Sequence, residues 1–157
     1  MYSEKITECN IDYDVIFGPS YKGIPLAAAV ATVLNQKVSK KIPICFDRKE
    51  EKEHGEGGTL VGSVKNKKVL IIDDVLTAGT ALKNSIKLIQ EAGGTISAAL
   101  IALDRQEQDE GEQVSKKLVN ELNIPIFSIS NLENLVLYLE TSDKRGIAKK
   151  LKASLKS

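Results

Sequence analysis

The chain contains few of the residues on which several classes of protein depend. Its 157 residues include two cysteines, Cys9 and Cys45, one histidine, His54, and no tryptophan, and only 4% are aromatic. Two separate cysteines do not make a disulfide framework, and a single histidine does not complete a zinc site with them, so we expect a protein of the reducing cytoplasm. The small number of aromatic side chains also argues against a stacking platform for single-stranded nucleic acid.

An excess of charge of one sign is missing as well. The 22 Lys and Arg residues are balanced by 21 Asp and Glu residues, which leaves a net charge of +1. That balance argues against bulk binding of nucleic acid. The sequence has no apolar run of the length that crosses a membrane and no basic-apolar leader pattern, so we expect neither a nucleic acid nor a membrane among its partners.

The remaining composition is that of an ordinary globular protein, with 42% hydrophobic and 27% charged residues. A chain of this length buries roughly two thirds of the surface that its unfolded form exposes, which is enough for a stable core without disulfides or a structural metal. The sequence shows neither an internal repeat nor a low-complexity linker. We therefore predict a single domain over residues 1–157.

Short apolar segments alternate along the chain with segments of helical periodicity. We predict strands at 14–17, 42–46, 69–72, 96–103 and 124–129, and helices at 25–34, from 81, through 114–122, at 132–139 and within 143–157. The β-branched run at 69–72 is typical of a strand that is buried on both faces. Strand, helix and strand in this order pair in parallel through a right-handed crossover, so the predicted class is α/β with an open parallel sheet flanked by helices.

The most informative segment follows the strand at 69–72. Asp73 and Asp74 stand where that strand is expected to end, and a loop of small residues from Thr77 to Thr80 leads into the next helix. Ligands bind at this edge of open parallel sheets. The loop offers N–H groups, two hydroxyls and a helix N-terminus to a phosphate, while the carboxylates could accept hydrogen bonds from sugar hydroxyls or neutralise a developing positive charge. A phosphorylated pentose suits both halves.

Two other interpretations of this segment are weaker. A strand that ends in solvated acids is the ordinary alternative, and the Thr-Ala-Gly-Thr sequence that comes after the acids argues against it. A Walker-B-type strand would require a phosphate-binding loop elsewhere. The segment from Gly18 to Gly23 has suitable glycine spacing, but it continues with Ile24 and Pro25 where a lysine and a hydroxyl are needed, so a nucleoside triphosphatase is excluded.

Three further segments are candidates for binding. In the loop 18–23 the glycines let the backbone approach an anion and Lys22 adds a positive charge, although a purely structural turn explains it equally well. The charged segment 47–58 is typical of a solvated loop, but its cations and glycines could also form a lid over an anionic substrate. Arg105 follows the strand 96–103 on the same sheet edge and could pair with a substrate carboxylate, or be an ordinary surface arginine.

The basic stretch 143–157 places Ile147, Leu151 and Leu155 on one stripe. We interpret it as an amphipathic helix that packs on the domain, in preference to a membrane or nucleic-acid patch.

Taken together, these motifs resemble those of the type I phosphoribosyltransferases. The segment 69–81 is similar to their diphosphoribosyl-binding signature, and the segments 17–25, 48–58 and 103–107 resemble the orotate phosphoribosyltransferase family in particular. The likeness extends from about Tyr13 to Glu140. It implies the type I phosphoribosyltransferase fold, an open parallel sheet flanked by helices with a long mobile lid loop.

The resemblance also implies roles for individual residues. Asp73 and Asp74 would hold the ribose hydroxyls of phosphoribosyl pyrophosphate, and the loop from Thr77 to Thr80 would grip its 5-phosphate. Thr77 and Arg105 would contact orotate. The catalytic residues would be Lys52, in the lid, together with Asp73 and Asp74. The implied substrate-binding residues are Tyr21, Lys22, Arg48, Lys49, Lys52, His54, Asp73, Asp74, Val75, Leu76, Thr77, Ala78, Gly79, Thr80, Ala81 and Arg105.

The implied reaction transfers a 5-phosphoribosyl group from phosphoribosyl pyrophosphate to orotate and forms orotidine 5-monophosphate for pyrimidine synthesis. Mg²⁺ would be carried mainly by the pyrophosphate of the substrate rather than by a metal site of the protein. The lid of one subunit would reach into its neighbour's site, so the expected assembly is a cytoplasmic homodimer.

One part of the family pattern is not found in this sequence. The family has an amino-terminal hood that supplies further orotate contacts, whereas only Met1 to Asp12 precede the segment from Tyr13 to Phe17 that holds the first predicted strand, and they contain no such motif. Two alternatives therefore stay open beside orotate transfer. One is a non-catalytic sensor or regulator that binds phosphoribosyl pyrophosphate, and the other is a transferase for another nucleobase.

Overall fold

A computed structural model describes residues 1–37, 41–48, 59–142 and 144–154. The strands are β1 (Val15–Gly18), β2 (Ile44–Asp47), β3 (Leu60–Val61), β4 (Lys68–Leu76), β5 (Thr95–Asp104), β6 (Gln108–Asp109), β7 (Glu112–Gln113) and β8 (Ile126–Asn131). The helices are α1 (Tyr2–Glu8), α2 (Gly23–Lys37), α3 (Thr80–Glu91), α4 (Val114–Leu122), α5 (Leu132–Thr141) and α6 (Arg145–Ser154).

The centre of the fold is a six-stranded sheet in the order β3-β2-β1-β4-β5-β8. Its pairs are parallel except for the short β3, which runs antiparallel to β2, and β6 and β7 form a separate hairpin. The predicted α/β class and open parallel sheet are confirmed. After β1 the chain crosses to one side of the sheet, and after β4 it crosses to the other, so the two central strands form the topological switch point at which ligands bind in such sheets.

The side chains of β4 alternate between two cores. Val69 and Ile71 belong to the core that contains α3 and α4, whereas Leu70 and Ile72 belong to the core that contains α1 and α2, and all four are completely buried. This explains why the strand is an unbroken apolar run instead of an alternating pattern. The central strands are therefore held on both faces, and their carboxyl ends give rigid support to the loops that leave them.

The structure corrects the predicted end of the central strand. β4 continues through Asp73 and Asp74 to Leu76, because β5 stays paired beside it as far as Asp104. The hydrophobic run ends at Asp73, but the backbone pairing with β5 continues beyond it. The acid pair thus lies within a paired strand, which orients it more firmly than a loop would.

Short or terminal elements were not predicted, namely α1, β3, β6 and β7. The prediction for the C-terminal stretch is corrected in detail. Helix α6 does pack on α5, but Ala148 is the buried residue and Leu151 packs beside it, whereas Ile147 is half exposed. Leu155 lies outside the described residues. Within the described ranges no helix has both the length and the apolar character that crossing a membrane requires.

Candidate active site

Two loops leave the switch point side by side. β1 and β4 are paired up to Phe17 and Ile71, and beyond that point β1 leads into the loop 19–22 while β4 continues to the acid pair. The first loop folds very closely: a Cβ placed on Gly18 would lie 2.3 Å from the carbonyl oxygen of Gly23, and one on Gly23 would lie 2.9 Å from that of Ile72. Only glycine allows this approach, so the glycine spacing reflects tight packing against β4.

Lys22 connects the first loop to the acid pair. Its Nζ lies 2.9 Å from Oδ2 of Asp74, and this hydrogen bond, together with the charge of that carboxylate, raises the pKa of Lys22. The lysine side chain is 79% exposed. An exposed ion pair of this kind contributes little to stability, so the ammonium group can be redirected to an anion at small cost.

The acid pair is organised by its own backbone. The N–H of Asp74 donates to Oδ1 of Asp73, and the N–H of Val75 donates to Oδ1 of Asp74, each at 2.9 Å. Both carboxylates are therefore held in place by the next residue along the chain. Burial raises the pKa of Asp73, so its charge is lost at a higher pH than that of an exposed aspartate.

Tyr2 approaches this segment from the distant helix α1. Its hydroxyl donates to the backbone carbonyl oxygen of Asp73 at 2.8 Å. Burial, and then the nearby charges of Asp73 and Asp74, raise the pKa of Tyr2 to about 12. This contact was not predicted, because the two residues are 71 positions apart and no local pattern joins them.

The predicted phosphate loop lies at the start of α3. Gly79 has φ +78° and precedes the helix. The first hydrogen bond of the helix runs from the N–H of Lys83 to the carbonyl oxygen of Gly79 at 2.9 Å. The earlier N–H groups of α3 have no acceptor within the helix and are available to an anion. A Cβ on Gly79 would lie 2.5 Å from Cδ1 of Leu118 in α4, and the left-handed backbone conformation favours glycine here.

A small cavity adjoins both the strand end and this loop. Among its lining residues are members of the acid pair, of the predicted phosphate loop and of α3, namely Asp73, Val75, Leu76, Thr77, Gly79, Ala81 and Leu82. In the sequence, the acid pair and the start of α3 are merely close along the chain. In the structure, Asp73 and the start of α3 line the same cavity.

Arg105 lies on the same sheet edge, as its position after a strand predicted. Its N–H donates to the carbonyl oxygen of Leu76 at 3.1 Å, and its Nη2 lies 3.3 Å from Oε1 of Glu107. The next residue, Gln106, was not predicted to matter. Its buried side chain accepts a hydrogen bond from the N–H of Glu133 at 2.8 Å, which ties the Arg105 segment to the first turn of α5.

The predicted lid is described only at its edges. Arg48 donates its N–H to the carbonyl oxygen of Thr59 at 2.7 Å. Asp47 and Leu60 are register partners in the β2–β3 pair beside it. Lys49, Lys52 and His54 lie outside the described residues, so their roles remain predictions.

Asp47 also forms hydrogen bonds with the loop after β1. Its Oδ1 accepts the N–H of Ser20 at 2.7 Å, and its Oδ2 accepts the hydroxyl of Ser20 at 2.6 Å. The loop after β1 is thereby fastened to the end of β2. No feature of the sequence pattern pointed to this pair.

Comparison with known proteins identifies the family. The model of the phosphoribosyl transferase domain matches residues 1–131. The orotate phosphoribosyltransferase of Cellvibrio japonicus (strain Ueda107) is 47% identical over 140 residues, which cover 88% of this chain and 65% of that protein. The orotate phosphoribosyltransferase of Acinetobacter baumannii (strain ACICU) is 48% identical over 146 residues, which cover 92% of this chain and 67% of that protein.

A solved structure agrees with these relatives. The crystal structure of orotate phosphoribosyltransferase from Francisella tularensis superimposes with a TM-score of 0.79 at 37% sequence identity, covering 97% of this chain and 70% of that one. The chain spans about two thirds of the length of the curated relatives that it matches. It belongs to the phosphoribosyl transferase domain family, and the relatives named above are orotate phosphoribosyltransferases, which confirms the resemblance seen in its motifs.

Proposed function

We propose that this chain is an orotate phosphoribosyltransferase, which transfers the 5-phosphoribosyl group of phosphoribosyl pyrophosphate to orotate. The observation that carries the proposal is the arrangement of groups at the switch point, where Asp73 lines a small cavity of about 30 Å³ together with Thr77 and Gly79 at the start of α3. A sugar that bears hydroxyls and a phosphate is complementary to this combination of groups. Relatives with 47% and 48% identity bear the name of this activity.

The proposed reaction requires stabilisation of charge and no protein nucleophile. As the bond between C1 of the ribose and pyrophosphate breaks, positive charge develops on the sugar and negative charge on the leaving group. A ring nitrogen of orotate attacks the opposite face of the sugar, and its proton passes to the departing pyrophosphate or to water. Asp73 and Asp74 hold the ribose hydroxyls and stabilise the positive charge, and Lys22, next to Tyr21, moves from Asp74 to the pyrophosphate.

The remaining roles follow the family pattern. The N–H groups and hydroxyls from Thr77 to Thr80 bind the 5-phosphate at the start of α3. Arg105, beside Thr77 at the sheet edge, pairs with the carboxylate of orotate. Lys52 is the catalytic lysine of the lid, with the other lid cations being Arg48, Lys49 and His54.

The proposed cofactor is Mg²⁺, which arrives mainly on the pyrophosphate of the substrate. Mg²⁺ commonly uses one or two protein carboxylates together with phosphate oxygens. Asp73, which lines the cavity, and its neighbour Asp74 have carboxylates that would suit an ion carried in on the substrate. When it is bound, the ion neutralises charge on the departing pyrophosphate.

The proposal also covers the protein's setting. It includes a homodimer in which the lid of each subunit serves its neighbour's site, a single-domain organisation over residues 1–157, and a place in pyrimidine synthesis in the cytoplasm.

The activity is tested by incubating the purified chain with Mg²⁺, phosphoribosyl pyrophosphate and orotate and measuring orotidine 5-monophosphate. We expect turnover, and we expect Lys52→Ala to lower it by orders of magnitude at an unchanged melting temperature, because the lysine acts on charge in the transition state. Lys149→Ala, on the exposed side of α6, is the control and should retain full turnover.

Three other outcomes would contradict parts of the proposal. Unchanged turnover would remove Lys52 from the mechanism. A thermal shift with phosphoribosyl pyrophosphate but no product would favour the sensor or regulator. Product with another base in a panel of purines and pyrimidines, and none with orotate, would favour a transferase of different specificity.

A further inference from the structure

The two hydrogen bonds between Asp47 and Ser20 join parts of the site that are 27 positions apart in sequence. Asp47 is the last residue of β2 and lies directly before Arg48. Ser20 is in the middle of the loop after β1, two residues before Lys22. Both pairs of atoms are close, at 2.7 and 2.6 Å, as expected when a carboxylate accepts hydrogen bonds from N–H and O–H groups.

The two glycines that flank this loop support it at its ends. Gly18 and Gly23 pack against each other, which fixes where the loop begins and ends. The N–H of Gly23 donates to the carbonyl oxygen of Pro19 at 2.9 Å, again across the base of the loop. The ion pair of Lys22 with Asp74 is exposed and weak. The contact with Asp47 therefore supplies an anchor for the middle of the loop.

We propose that Asp47 is a positioning residue: its carboxylate holds Ser20 so that the backbone of the loop and Lys22 are placed in advance to bind the pyrophosphate group of the substrate. This inference rests on the proposed function and extends it to a residue that acts through Ser20. A preplaced loop binds with less loss of conformational entropy than a loop that must be ordered by its ligand. The contact should therefore affect affinity for pyrophosphate-bearing ligands and leave the orotate side of the site unchanged.

The test compares Asp47→Ala, Asp47→Asn and Ser20→Ala with the unmodified chain in steady-state assays. We expect Asp47→Ala to raise KM for phosphoribosyl pyrophosphate about tenfold, because both charge-assisted hydrogen bonds to Ser20 are lost, with KM for orotate unchanged. Asn can accept from the Ser20 N–H and donate to its hydroxyl, so Asp47→Asn should stay within about threefold of the unmodified chain. Ser20→Ala removes only the hydroxyl contact and should lie between the two.

The control is Asp12→Ala, which removes an exposed carboxylate that pairs with Lys68 at the opposite end of β4. It should leave both KM values unchanged. A second measurement, hydrogen exchange of the Ser20 amide in the ligand-free protein, should show protection that Asp47→Ala abolishes and Asp47→Asn keeps.

The possible failures can be told apart. Equal increases of both KM values, or no increase despite loss of amide protection, would overturn the positioning role while the proposed activity stands. If the unmodified chain forms no product but binds phosphoribosyl pyrophosphate, the proposed activity falls, and the dissociation constants of the same variants decide the role of Asp47. If it binds no phosphoribosyl pyrophosphate at all, both proposals are wrong.

Discussion

The two loops at the switch point are held in opposite ways. The carboxylates near the carboxyl end of β4 are held by neighbours in sequence, because each aspartate accepts a hydrogen bond from the N–H of the next residue. The middle of the loop after β1 is held by a distant residue, because Asp47 accepts two hydrogen bonds from Ser20. One half of a binding site can therefore be a local motif while the other half exists only in the folded protein.

The largest expected effect comes from removing the negative charges of Asp73 and Asp74. The double variant Asp73→Asn and Asp74→Asn keeps the size of both side chains and removes the negative charges that we propose stabilise the sugar in the transition state. We expect kcat/KM for phosphoribosyl pyrophosphate to fall about 10²–10³-fold. Because amide oxygens can still accept the local N–H bonds, the melting temperature should change little.

Steady-state kinetics and thermal unfolding of the same samples check this prediction. A fall in activity that merely follows a fall in melting temperature would show that the acids matter for folding instead of chemistry. Asp109→Asn, on the surface hairpin of β6 and β7, is the matched control.

The next largest effect comes from a substitution that disturbs the backbone of the loop after β1. Gly18→Ala would place a Cβ 2.3 Å from the carbonyl oxygen of Gly23, where rigid backbone must move. We expect the free energy of unfolding to fall by roughly 2–3 kcal/mol. Denaturant titration measures this value. In contrast, a Cβ on Gly146 in α6 meets nothing within 4 Å, so Gly146→Ala should leave stability unchanged or raise it slightly.

The smallest effect concerns the contact of Tyr2 with Asp73, where a distant residue supports the segment that is otherwise held by neighbours in sequence. Tyr2 donates to the carbonyl oxygen of Asp73 from a distant helix, and its pKa is raised from 10.0 to about 12 in the folded protein. A raised pKa means that the folded state holds the phenol proton more tightly, so this contribution to stability is complete below pH 10 and is lost as the pH rises towards 12.

Tyr2→Phe should therefore flatten the loss of unfolding free energy between those two pH values and cost about 1 kcal/mol at neutral pH through the missing hydrogen bond. Denaturant titrations at neutral and alkaline pH check both parts. An unchanged alkaline profile would show that the pKa of Tyr2 is not raised in the folded protein.

Much of the fold could be predicted because its central strands are buried on both faces. The run that contains Val69 and Ile72 is apolar for the simple reason that each face of the sheet is covered by helices, and the parallel pairing followed from the crossovers. The end of β4 could not be predicted in the same way. Asp73 and Asp74 interrupt the apolar pattern, yet β5 continues to pair beside them, and pairing is invisible to a hydrophobicity pattern.

The candidate site divides along the same line. Asp73, Asp74 and the Thr77 to Thr80 loop could be found because they are contiguous and their residue types match an anion and a sugar. Ser20 with Asp47, and Gln106 with α5, could not be found, since hydrogen bonds across 27 positions leave no periodic or compositional signal.

The sequence by itself determined the class of the fold, the strand that bears the acid pair, and the family to which the chain belongs. These depend on short-range order: apolar runs, glycine spacing, and functional groups that succeed one another along the chain. Only the tertiary structure decided how the loop after β1 is anchored, which distant tyrosine touches the acid segment, and where the central strand ends. Each of those depends on which backbone or side chain is brought close by folding, and proximity across the chain is created by packing.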